Sequence, residues 1–282
     1  MNSMENYSYS ITFVDDGSSD ATLRLIKELA EEHGPSAIRY LSFSRNFGKE
    51  AAILAGLSAS SGDCSVLMDC DLQDPPQLLP QMLKALEEGY DSCATRRRTR
   101  SGEPRLRSFF AASFYRLMNS VASVDLEPGA RDYRMMNRAF REAIVALGER
   151  ERFYKGLSAW VGFSTKWLEY ENEPRHAGAT KWSFWGLMRY ATGGILSFSS
   201  APLGLGLVCG GLMLLAAVVL GSRAVLHALS GAGVSDAILL ATLVLGIGGV
   251  LALLLGIIGL YLGTILGEIK RRPVYLIRET NI

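Results

Sequence analysis

At 282 residues, with 49% hydrophobic and 20% charged side chains, the chain has room for one sizeable domain and something smaller. Its 29 Lys and Arg offset 28 Asp and Glu to a net charge of +1, so overall charge selects no partner. The four cysteines, Cys64, Cys70, Cys93 and Cys209, show no CxxC spacing and the N-terminus no secretory pattern, so reduced thiols in a cytosolic compartment are expected.

From Ser10 onward, short apolar runs alternate with helical patterns: "SITFVD", "ATLRLIKELAEE" stopped by Gly34, "IRYLSF", "KEAAILAGLSAS", "CSVLMD", "PQLLPQMLKALEE" stopped by Gly89, and "YDSCAT". Continuous apolar strands between amphipathic helices predict an α/β domain with a mostly parallel sheet covered on both faces. Ligands of such sheets bind beyond the carboxyl ends of the strands, where "DDGSSD", "SRN" and "DCDLQD" fall. Asp69 and Asp71, two residues apart behind a buried strand, suit one hard divalent cation, Mg²⁺ or Mn²⁺. Asp74, ahead of Pro75 and Pro76, reads as the cap of the next helix.

The basic stretch "RRRTRSGEPRLR", Arg96 to Arg107, precedes a helical pattern at about 105–122 whose Leu106, Phe109, Phe110, Phe114, Leu117, Met118 and Val121 share a face. Beside such a helix the arginines suit anionic lipid headgroups better than a nucleic acid. A second amphipathic segment, "WSFWGLMRYATGGILSF", places Trp182, Trp185 and Tyr190 where an aromatic belt is expected. Then the charge vanishes: between Ala201 and Gly267 only Arg223 and Asp236 are formally charged. Ala201–Ser222 and Ala237–Gly267 are each long enough, at about 1.5 Å per residue, to cross a hydrocarbon core of about 30 Å. The short linker between them predicts a two-helix hairpin. Lys270, Arg271 and Arg272 after it, with Lys181 and Arg189 before it, predict cytoplasmic ends. The expected layout is a catalytic domain over 1–180, a juxtamembrane helix over 181–200, two transmembrane helices within 201–267 and a cytoplasmic tail over 268–282.

Six motifs in order, "VDDGSSD", "SFSRNFGKEAAILAGL", "MDCDLQDPP", "RDYRMMNR", "RHAGATKWSFW" and "GEIKRRPVYLI", resemble the family-2 glycosyltransferases that act on polyprenyl phosphates. Dolichol-phosphate mannose synthases and the bacterial bactoprenol glucosyltransferases of the GtrB type belong to that group. The resemblance implies a GT-A (Rossmann-like) fold, a nucleotide-sugar donor and inverting transfer to a polyprenyl phosphate acceptor. It also implies a bacterial inner-membrane, multi-pass protein and a homo-oligomer, a tetramer by family likeness. Residue by residue, Asp15 or Asp16 and Arg45 would bind donor, Asp69 and Asp71 the metal, with Gln73 in support. Asp132 matches the proposed catalytic aspartate, flanked by Arg131 and Arg134, while Arg175 and Lys181 match a phosphate-gripping loop.

The lipid phosphate, with a second pKa near 6, is largely dianionic at neutral pH, so Asp132 is as readily an orienting residue as a base. Glucose from UDP-glucose is the first expectation for the sugar, mannosyl or aminoarabinosyl transfer the alternative. The family also begins with a P-x-Y-N-E strand about thirty residues ahead of the D-D-G-S motif. "MNSMENYSYS" stands there instead, which raises a further alternative, a non-catalytic membrane protein with an incomplete donor site.

Overall fold

The computed structural model of the protein describes residues 7–71, 73–97, 127–170, 222 and 236–282. The chain divides into two compact units, Met1–Ser197 with Arg272–Ile282, and Phe198–Arg271.

In the first unit, β1 (Ile11–Asp15) leads through a turn into α1 (Thr22–His33) and on to β2 (Ile38–Phe43), which pairs parallel with β1. Gly34 ends α1 with φ 79° as its N–H caps the carbonyl of Ala30. α2 (Lys49–Ala59) follows β2 and buries Ala51, Ile53, Ala55 and Leu57. After β3 (Cys64–Leu67), the two prolines start a short 3₁₀ turn at Pro76–Leu78 that runs into α3 (Leu79–Glu87). β4 (Ser92–Arg97), β5 (Ala130–Asn137), α4 (Arg138–Ala146), α5 (Tyr154–Trp160) and β6 (Thr165–Tyr170) complete the run, and the tail returns as β7 (Ile277–Thr280).

The unit is α/β with Rossmann-like alternation in its first half, but its sheets are mixed rather than mostly parallel. One has the order β1-β2-β7 and the other β3-β5-β4-β6. β1 with β2 and β4 with β6 are parallel, whereas β7 on β2 and β5 against both β3 and β4 are antiparallel. The correction has a local cause. The helix-and-strand alternation that predicts parallel crossovers covers residues only up to β4, and the later strands, β5 and β7, enter reversed.

Among the described residues β1 and β3 belong to separate sheets, each with one edge unpaired, and Ile11, Val66 and Met68 are exposed there. The helices cover two cores. Met82, Leu83 and Ala85 of α3 pack on Cys93, Tyr133 and Met135, and Ala51 and Ala55 of α2 pack on Leu41 and Phe43. Each fully buried large side chain contributes about 1.5–3 kcal/mol.

The second unit contains α6 (Asp236–Ile269), 34 residues long, with a 24-residue stretch, Gly246–Ile269, long and apolar enough to cross a membrane. At 1.5 Å per residue the helix is about 50 Å long. Leu255, Leu262 and Ile269 are exposed on it, a surface suited to lipid. The predicted span Ala237–Gly267 lies within α6. The predicted span Ala201–Ser222, apart from Ser222, lies outside the described residues, as do both amphipathic segments.

Candidate active site

The site assembles where β3 ends and β5 begins. β5 runs antiparallel to β3, pairing Leu67 with Arg134, so Arg131 and Asp132 lie toward the carboxyl end of β3, beyond which Asp69 and Asp71 follow. Alternation along β5 sends Tyr133 and Met135 into the core under α3, and Asp132 and Arg134 to the other face.

Lys49, the first residue of α2, ties these segments together. Its Nζ lies 2.9 Å from Asp69 Oδ2 and 2.6 Å from Asp132 Oδ2. Burial opposes its charge, but Asp132 and Asp69 outweigh that and hold its pKa above the ordinary lysine value. Asp132, with 18% of its side chain exposed, shows the converse balance. Burial favours the neutral acid, yet Lys155, Lys49 and Arg131 together pull its pKa below the usual carboxylate value. An aspartate held in its ionised form by three cations is better suited to anchoring charge than to taking up a proton.

The loop carrying Lys49 is fixed from beneath. Asp16 accepts the backbone N–H groups of Phe47 at 2.7 Å and Gly48 at 2.9 Å. Burial nevertheless raises the Asp16 pKa, these two donors offsetting it only in part. Asp15, almost fully buried, accepts from Ser42 Oγ at 2.8 Å and the Ser18 N–H at 3.1 Å. Gly17, with φ 68°, lets the first turn touch the second loop: a Cβ there would lie 2.4 Å from the Arg45 carbonyl carbon. Arg45 stacks 4.1 Å over the Phe47 ring. Asp15 and Asp16 thus build the loops at the carboxyl end of β1, with Arg45 exposed on them.

Asp74 is not a helix cap. It is 1% exposed and accepts from Arg131 Nη2 at 3.2 Å and from the Tyr170 hydroxyl at 2.9 Å, while the turn starting at Pro76 has no side-chain cap. Arg131 is thereby anchored beside the acidic cluster, 20% exposed. Gln73 is buried, and its backbone N–H donates to Asp71 Oδ1 at 3.2 Å. Arg134 departs from its expected place among the phosphate-binding groups. It lies two residues deeper along β5, 6% exposed, donating to Ser92 Oγ at 2.8 Å and lying between the rings of Phe140 and Trp167. Burial lowers its pKa. Arg134 is therefore a core residue here, because the strand register that brings Asp132 to the rim carries Arg134 inward. Arg175 and Lys181 lie outside the described residues.

No group of three or more His, Cys, Asp or Glu side chains among the described residues forms a cation cage. Two carboxylates are enough where water and substrate phosphates supply the remaining oxygens, and Asp69 and Asp71 would be the pair to hold such a Mg²⁺. The thiol of Cys70 between them is pushed up by burial and by both carboxylates, a mark of the local negative potential. Lys49 and Lys155 were not among the residues singled out from the sequence. A lysine opening a helix, where the dipole opposes its charge, was the signal for Lys49.

Known proteins resemble this chain over nearly its whole length. The family description "Glycosyl transferase family 2" matches residues 2–174. The putative glycosyltransferase CsbB of Bacillus subtilis is 43% identical over 98% of this chain and 84% of its own length. The SfII prophage-derived bactoprenol glucosyl transferase of Shigella flexneri is 37% identical over 99% of this chain and 90% of its own, and the prophage bactoprenol glucosyl transferase homolog of Escherichia coli K12 is 36% identical over the same shares. The chain is a transferase and belongs to glycosyl transferase family 2, in its GtrB-type group.

Proposed function

We propose that the chain transfers glucose from UDP-glucose to undecaprenyl phosphate, with inversion, at the cytoplasmic face of a bacterial inner membrane. The observation that carries this reading is the similarity to bactoprenol glucosyl transferases across almost the whole chain.

In this reading Asp69 and Asp71 hold Mg²⁺ or Mn²⁺, with Gln73 fixing Asp71 through its backbone. The bound cation supplies neutralisation of the departing diphosphate. Arg131, fixed by Asp74, adds a positive charge that needs no reorganisation when phosphate charge shifts. Asp132, ionised and tied to Lys49, orients the reacting groups, since a dianionic acceptor phosphate needs little deprotonation. Asp15 and Asp16 shape the loops that face the nucleotide, Arg45 lies at their surface, and Arg175 and Lys181 grip phosphate. The domain layout proposed is the one read from the sequence: a GT-A domain over 1–180, an interfacial helix near 105–122, a juxtamembrane helix over 181–200, a two-helix hairpin within 201–267 and a cytoplasmic tail. Anionic lipids against the arginine cluster and a homo-oligomeric, multi-pass assembly belong to the same proposal.

A donor panel tests it. Membranes containing the protein, given undecaprenyl phosphate and labelled UDP-glucose, GDP-mannose or a UDP-aminoarabinose, are expected to form lipid-linked product from UDP-glucose. Product from another donor alone would overturn the choice of sugar.

A further inference from the structure

Lys49 has two carboxylate partners on two different segments, and one of them is Asp69, read above as a metal ligand. Its backbone has little freedom to move away. Phe47 and Gly48 are fastened to Asp16 on one side, and on the other Glu50 Oε2 accepts the Tyr154 N–H at 2.9 Å. The side chain is long and single-bonded, so its ammonium group can shift while its Cα stays in place. An ammonium 2.9 Å from Asp69 occupies one of the directions from which a cation would approach that carboxylate, and it repels an incoming divalent charge. The contact with Asp132 is shorter, and Asp132 is less exposed than Asp69, at 18% against 34% of the side chain. The pair with Asp132 is therefore the one better protected from water.

We propose that Lys49 is a resident counter-ion of the metal site: it neutralises Asp69 until a divalent cation arrives, then yields Asp69 and remains on Asp132 as its positioning residue. This rests on the reading of Asp69 and Asp71 as the cation platform. The exchange has two consequences. Asp69 is never left without a positive partner, and the orientation of Asp132 is kept in both states by the same ammonium group. No bond is made or broken, and one ion pair is replaced by a metal–carboxylate contact.

The test uses Mn²⁺ alone, without donor or acceptor, on the full chain purified in detergent, with free Mn²⁺ read by electron paramagnetic resonance. Lys49→Met removes the competitor and is expected to tighten Mn²⁺ binding about fivefold, while Lys49→Arg, which keeps the charge, stays within about twofold of the parent chain. Lys49→Gln carries the same expectation as Lys49→Met should the latter fail to fold. Asp71→Asn is expected to weaken binding. If Asp71→Asn weakens Mn²⁺ binding but both uncharged Lys49 variants bind as the parent does, or more weakly, the counter-ion role is wrong and the cation platform stands. If Asp71→Asn leaves binding unchanged, the platform itself is wrong and the proposal falls with it.

Discussion

Asp74 shows how one side chain can hold a charged rim in place from behind. Its carboxylate is buried and accepts from the Arg131 guanidinium and the Tyr170 hydroxyl, so removing it strands a largely buried positive charge. Breaking a buried pair on one side costs about 3–5 kcal/mol, and the partial exposure of Arg131 reduces that. Asp74→Ala is therefore expected to lower stability by about 2–4 kcal/mol. Urea unfolding in mild detergent checks it, and a change below about 0.5 kcal/mol would mean that water solvates Arg131 freely. At this scale the sequence was legible where a motif marks a strand end. Asp69, Asp71, Asp132 and Arg131 are all placed at the same end of the second sheet. What could not be read was which of several charges points inward. Arg134 and Asp74 look like rim and cap residues in one dimension, and only the antiparallel register of β5 and the turn at Pro75–Pro76 send them into the interior.

Among elements, the loop between β2 and α2 and the C-terminal strand β7 form one structure. Tyr275 stacks on Phe43 with ring centroids 5.0 Å apart, and Phe43 meets Phe47 edge-on at 5.8 Å. Asn281 then brackets the other end of β2, accepting from the Tyr40 N–H at 2.7 Å and donating to the Ile38 carbonyl at 3.1 Å, while Lys27 pairs with Glu279. The Lys27–Glu279 pair is exposed and screened by water and salt, so the aromatic contact and the strand ladder dominate. Tyr275→Ala is expected to cost about 1–2 kcal/mol and to speed amide hydrogen exchange at Phe47 and Gly48. Unchanged exchange at those amides would show that the tail does not brace the loop carrying Lys49. The elements up to β4 were legible because a period near 3.6 alternates there with short apolar runs bounded by Gly34 and Gly89. β5 and β7 were not. The first is charged at its Asp132 end, the second is four residues long and exposed, and neither carries the pattern of a buried strand.

At the scale of the whole molecule the charge distribution makes the strongest demand: a basic stretch ends at Arg272 directly after an apolar helix. The proposed hairpin predicts that a cysteine at Ser230 reacts with an impermeant thiol reagent added outside cells, while one at Thr280 does not. The reverse pattern would invert the topology. The length and apolarity of α6 were plain from composition, and these are what a membrane-crossing helix requires. The division of the strands into two sheets was not legible from pattern, because periodicity within a strand says nothing of which neighbour it lacks.

If the acidic rim acts on a sugar nucleotide, transfer depends on a divalent cation and on Asp71. The direct measurement is the rate of lipid-linked glucose formation from labelled UDP-glucose and undecaprenyl phosphate by the purified chain, with EDTA, with Mg²⁺ restored, and in Asp71→Asn. Transfer is expected with Mg²⁺, to be lost in EDTA and recovered on adding the ion back, and to fall at least about a hundredfold in Asp71→Asn while the variant keeps the folding of the parent. Full transfer in EDTA, or by Asp71→Asn, would contradict it.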